Sequence, residues 1–140
     1  MIRRSQITDK DEIYALICAL ENTVLDRQGF DDTFDVQSSD DRYICFVYEE
    51  DKTIEGAINM RIEKQLHHAG KVCEIMELVV SETKRNRGIG KQLLQKAIET
   101  ARNEGCKRIE LSSSNWRTDS HRFYMENGFD ATHIDLTMDL

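Results

Sequence analysis

The sequence has 140 residues, 39% hydrophobic and 32% charged, with 7 Gly and no Pro, which reads as a single globular domain over residues 1–140 that buries roughly two thirds of its unfolded surface. With 26 Asp+Glu against 19 Lys+Arg the net charge is −7, which argues against a nucleic-acid partner, since such affinity comes from cationic side chains on phosphates, and suits small cationic partners. No stretch nears the ~18 apolar residues of a membrane span, and the opening MIRRSQITDKDEI lacks the apolar segment of a signal peptide.

Ile2 to Ile7 reads as a first strand. Thr8 and Asp9, followed three positions on by Asp11 and Glu12, form a capping-box pattern that starts a helix with Ile13, Leu16, Ile17 and Leu20 on one face. Asp26 to Asp41 is acidic and weakly periodic, a loop or a short helix. Tyr43 to Tyr48 is aromatic and β-branched, Ile54 to Leu66 alternates in part, and Val72 to Val80 follows a turn at Ala69-Gly70-Lys71. Three strands joined by short turns predict an antiparallel meander.

The period then changes. Ile89, Leu93, Leu94, Ala97, Ile98 and Ala101 form an amphipathic stripe that Gly105 ends, and Lys107 to Leu111 is again a strand. Strand, helix and strand make a crossover unit, which pairs its strands in parallel. A short helix from about Asp119 to Asn127 stops at Gly128, and Phe129 to Leu140 reads as a last strand. The predicted fold class is α/β, a mixed sheet with helices on both faces. Cys18, Cys45, Cys73 and Cys106 are widely spaced, contain no C-x-x-C and lie in apolar runs. They read as free thiols of a protein in a reducing cytoplasm.

The segment joining the third meander strand to the long helix carries the chemistry. Gly88 and Gly90 let backbone approach a ligand, and the first-turn N–H groups with the helix dipole favour an anion. Lys84, Arg85, Arg87 and Lys91 add positive charge to an acidic chain. A diphosphate fits such a place. The dinucleotide fingerprint fails for want of a third glycine, and a P-loop fails because one residue, not four, separates the glycines.

Arg85-x-x-Gly88-x-Gly90, after a strand ending Leu78-Val79-Val80, resembles the acetyl-CoA signature of the GNAT superfamily of N-acetyltransferases. Ser120-His121-Arg122-Phe123-Tyr124 running to Gly128-Phe129 resembles its second motif. The segments around Tyr14, Leu66 to Ala69, Glu74 to Val80 and Asp119 to Tyr124 are most similar to the aminoalkylphosphonate N-acetyltransferases. The resemblance spans essentially the whole chain. It implies the GNAT fold and acetyl transfer from acetyl-CoA to the primary amine of a small molecule. Polyamine, aminoglycoside and protein amines, or a non-catalytic acyl-CoA-binding module, are the alternatives.

On these residues the resemblance implies that the backbone of Leu78, Val79 and Val80 holds the pantetheine arm. The pyrophosphate then lies on Arg85, Asn86, Arg87, Gly88, Ile89, Gly90 and Lys91. Many members carry Asn seven residues before the tyrosine; here that residue is Arg117, and Asn115 or Ser114 stands in. Tyr124 is the candidate acid, its ordinary pKa of ~10 lying above the ~8.5 of a thiol. The base is Glu74 or Glu77, with Glu74 preferred, and both reach one site only if a bulge separates them. His67 and His68, at the hairpin end, are candidates for the substrate side, one of them at most, because neighbours on a strand face opposite ways. No metal-ligand set is assigned, although the aminoalkylphosphonate enzymes' association with divalent ions leaves a divalent metal open. Dimers are common in the superfamily, so a homodimer is also open.

Overall fold

The computed structural model describes residues Met1 to Leu140. They form two compact units, Met1–Glu110 and Leu111–Leu140. The first holds β1 (Ile2–Arg4), α1 (Lys10–Glu21), α2 (Arg27–Ser38), β2 (Tyr43–Glu50), β3 (Thr53–Gln65), β4 (Gly70–Val80), α3 (Ile89–Asn103) and most of β5 (Arg108–Leu111); the second holds α4 (Thr118–Glu126). The sheet order is β1-β2-β3-β4-β5, with antiparallel pairs from β1 to β4. With β5 beyond β4 at the end of the crossover, the sheet is mixed, as the sequence predicts.

Period-two alternation sends the strand side chains to two cores. Val47, Ala57 and Val79 pack with Ile13 and Leu16 of α1, and Phe30 and Phe34 of α2 lie against this cluster. On the other face α3 buries Ile89, Leu93, Leu94 and Ala97. Gly56 of β3 is where that helix comes closest: a Cβ there would stand 3.1 Å from Leu93 Cδ1 and 3.1 Å from the Val79 carbonyl oxygen. Gly105 closes α3 at φ 78°, and the Cys106 N–H returns to the Ala101 carbonyl (2.9 Å).

Several boundaries differ from the sequence reading. β1 ends at Arg4, and the chain then turns on Asp9. The Asp9 carboxylate accepts from both terminal nitrogens of Arg3 (2.8 and 2.9 Å) and from the Gln6 N–H (2.7 Å). It therefore does not cap α1, and Glu12 is likewise drawn away, accepting from the Ile54 N–H (2.9 Å). The acidic stretch is the helix α2, capped by Asp26 on the Gly29 N–H (2.9 Å) and laced by Arg27–Asp31 (2.9 Å). It buries no residue completely, which is why its period is faint.

None of the four cysteines is in a disulfide; Cys73 is buried and the other three partly so. In the second unit α4 ends with the Gly128 N–H on the Met125 carbonyl (3.2 Å) and the Phe129 N–H on the Tyr124 carbonyl (3.0 Å). The strand expected over Phe129 to Leu140 is absent. Its alternating Ile134, Leu136, Met138 and Leu140 are all exposed. Alternation makes a strand only where a neighbour completes the ladder, and here none does.

Candidate active site

On the α1 and α2 face of the first unit lies a cavity of about 680 Å³. Its apolar wall comes from Ile13 and Ile17 of α1 and Phe30 and Phe34 of α2; its sheet side presents Tyr43, Cys45, Ala57, Asn59 and Glu77. A roomy, mostly apolar cleft with a few convergent polar groups is the form of a small-molecule site.

Glu77 faces that cleft by regular alternation with Val79, and an irregularity in β4 brings Glu74 to the same face. Met60 pairs with Ile75 and Asn59 with Glu77, so Met76 is an extra residue with no partner on β3. The bulge thus places Glu74, opposite Arg61, on the face that Glu77 occupies. Their surroundings then diverge. Glu74 accepts from Arg61 (2.8 Å), whereas Glu77 accepts from the Asn59 amide (3.2 Å). Burial, reinforced by the nearby Glu21 and Glu74 carboxylates, holds the Glu77 carboxyl above its ordinary range, with the Asn59 bond opposing. Burial pushes the thiol of Cys45, also on the lining, up to about 11, so it stays protonated at neutral pH.

Beyond Val80, three residues past Glu77, the chain leads into α3. Asn86 (φ 64°) and Gly88 (φ 80°) both take the left-handed conformation. Gly88 is the N-cap residue and carries no side chain, so the N–H groups of Ile89, Gly90 and Lys91 meet no side-chain cap. Arg85 and Lys91 are exposed beside them. Arg87 and Lys84 instead turn to Glu50 (3.0 and 3.3 Å), which offsets part of their charge. A Cβ on Gly88 would meet nothing within 4 Å; the residue is required for its φ, not for space. Open donors with adjoining cations suit two phosphates. β5 begins beside Lys71, whose carbonyl accepts from the Lys107 N–H (2.9 Å), and is four residues long. It stops short of Leu78, Val79 and Val80, for which β3 is the ladder partner.

The acetyltransferase (GNAT) family profile matches residues 10–129. The chain belongs to the GNAT acetyltransferase family. It is 38% identical over 136 residues to the aminoalkylphosphonate N-acetyltransferase of Salmonella typhimurium, covering 97% of this chain and 88% of that one. A solved structure described as a transcriptional regulator from Bacillus halodurans superposes with a TM-score of 0.92 at 24% identity, over 100% of this chain and 99% of the other. The aminoglycoside N-acetyltransferase AAC(6')-Iy in complex with CoA superposes with a TM-score of 0.88 at 20% identity, over 100% and 93%. These two likenesses concern the fold.

The remaining predicted residues of this N-acetyltransferase fall as follows. Tyr124 lies on α4 of the second unit, edge-on to Phe123 and Phe129 (ring centroids 5.2 and 5.6 Å). Burial pushes its phenol up to about 12, with Arg117 opposing, so the hydroxyl keeps its proton at neutral pH. Asn115 is exposed in the same unit. His67 and His68 belong to a short 3-10 turn between β3 and β4, not to a strand. Their rings lie together, 4.1 Å apart, instead of on opposite faces as the sequence reading had it, and neither lines the cavity. No group of three or more His, Cys, Asp or Glu side chains is gathered in metal-binding geometry.

Asn59, Gln37 and Tyr43 line the cavity and were not singled out by sequence. Asn59 had a visible signal, a lone amide within Gly56-Ala57-Ile58-Asn59-Met60.

Proposed function

We propose that this enzyme transfers the acetyl group of acetyl-CoA to the primary amine of a small molecule, with an aminoalkylphosphonate as first candidate. The observation that carries the proposal is a carboxylate, Glu77, held above its ordinary pKa on the lining of a substrate-sized cavity. A primary amine arrives protonated, with a pKa near ~10, and must lose a proton before its nitrogen attacks. A carboxylate of raised pKa is suited to take it, directly or through a water. The acetyl donor supplies an activated thioester carbonyl. Its phosphates find donors at the N–H groups of Asn86 to Lys91 and at Arg85, and its pantetheine arm finds the backbone of Leu78 to Val80. As the new N–C bond forms the C–S bond breaks; Tyr124 gives the thiolate a proton and is reprotonated by the second proton that the acylated nitrogen releases. Glu77 thus replaces Glu74 as the preferred base, because Glu74 is held by Arg61.

The similarity to the Salmonella enzyme supports the phosphonate. The lining carboxylates Asp26 and Glu77, against Arg4 as its one arginine, favour a second reading, a polycationic acceptor such as a polyamine or aminoglycoside.

The test supplies the purified chain with acetyl-CoA and a library of aminoalkylphosphonates, polyamines, aminoglycosides and peptides, and identifies acetylated products by mass spectrometry. The expected product is an acetylated aminoalkylphosphonate, and Tyr124→Phe should lower kcat by about 100-fold or more with less effect on the KM for acetyl-CoA. Preferential acetylation of another class overturns the substrate; unchanged turnover in Tyr124→Phe removes the acid.

A further inference from the structure

We infer that Asn59 is a positioning residue for the acceptor reaction, its amide clamped by Gln37 of α2 so that it holds the Glu77 carboxylate toward the cavity. The inference rests on reading Glu77 as the base. One nitrogen makes both bonds: Asn59 Nδ2 donates to Gln37 Oε1 (3.0 Å) and to Glu77 Oε2 (3.2 Å). With both hydrogens committed the amide cannot turn its carbonyl to the carboxylate without losing both bonds, so the Gln37 bond fixes which end of Asn59 faces Glu77. All three side chains line the same cavity.

The arrangement ties the base to the helix that covers it. α2 buries no residue completely, and the hydroxyls of Ser38 and Ser39 near its end bond back to their own segment. Gln37, by contrast, reaches across to the sheet.

Glu77 has no cation of its own. The charged or titratable groups around it are Glu21 of α1, Asp26 ahead of α2, Arg4 of β1, Tyr43 and Cys45 of β2, Arg61 of β3 and Glu74 of β4. Arg61 is engaged by Glu74 (2.8 Å) and Glu63 (3.3 Å), and on β5 Arg108 pairs with Glu110 (3.2 Å). The Asn59 donor is therefore the stabilising partner of the charged form, and its removal raises the pKa of the base.

The experiment follows Glu77 directly. Carbon-13 NMR of the labelled carboxyl side chains gives its titration midpoint in the wild-type chain, in Asn59→Leu and in Gln37→Leu, with Glu77→Gln assigning the signal. The acid limb of kcat/KM is measured alongside, with an amine that the wild type acetylates. Asn59→Leu should raise both midpoint and limb by about one unit, and Gln37→Leu should raise them by less, while the Kd for acetyl-CoA stays within about twofold. An unmoved midpoint in a folded Asn59→Leu overturns the inference. Should that variant fail to fold, an unmoved midpoint in Gln37→Leu overturns it equally. Wild-type rates in Glu77→Gln would instead refute the base itself, whatever the clamp does.

Discussion

Glu74 and Glu77 share one face of the sheet although three positions separate them, because Met76 stands out of the β3–β4 ladder. A regular strand would send them to opposite sides. The bulge puts two carboxylates on the α1 and α2 face and gives them unequal partners, a guanidinium for Glu74 and a single amide for Glu77. That inequality is the ground for proposing Glu77, and not Glu74, as the base.

Glu77 should cost the protein stability. Its carboxyl is raised in the folded chain above the ~4.3 of an exposed glutamate. A group of that sign contributes its stability below the unfolded pKa and loses it as pH rises through the folded one. Glu77→Gln should therefore melt higher than the wild type at pH 8, with the gap closing toward pH 4. Differential scanning fluorimetry reads this, and a lower melting temperature for the variant at pH 8 would count against it.

Asp9 should behave in the opposite sense. Arg3 is the main cause that holds its carboxyl below the ordinary range, so its contribution is present above the unfolded pKa of ~3.9 and fades as pH falls through the lower folded value. Asp9 is buried and Arg3 mostly covered, and breaking such a pair from one side costs about 3 kcal/mol. Urea denaturation of Asp9→Asn should show that loss at pH 7 and a smaller loss at pH 3. An equal loss at both would assign Asp9 a role independent of charge.

Gly88 should be needed for its backbone conformation. Its φ of 80° costs a side-chain-bearing residue about 1–2 kcal/mol, though a Cβ has room there. Gly88→Ala should fold and should bind acetyl-CoA roughly tenfold more weakly by calorimetry. Undiminished affinity would detach this turn from phosphate binding.

Much of this was legible in the sequence because local signals agreed with the fold. The stripe from Ile89 to Ala101 and the strands from Tyr43 to Val80 carry their own periods, and the turn from Arg85 to Gly90 carries its own chemistry. What was not legible depended on partners distant in sequence. Asp9 and Glu12 read as caps until Arg3 and the Ile54 N–H claim them. The helix from Arg27 to Ser38 is steadied by its cap and side-chain pairs with little buried apolar stripe. The two histidines read as strand neighbours, and their 3-10 turn, closed by Ala69 at φ 53°, brings the rings together. The bulge at Met76 has no mark of its own, and with it went the choice between the two glutamates.

That choice is the most direct test. The initial rate of acetyl transfer from acetyl-CoA to an accepted amine should be compared at one neutral pH for Glu77→Gln and Glu74→Gln. Glu77→Gln should lose at least about 100-fold in kcat/KM, the scale of a general base, and Glu74→Gln should stay within about tenfold of wild type. The reverse order, with Glu74→Gln inactive and Glu77→Gln near wild type, would contradict the account.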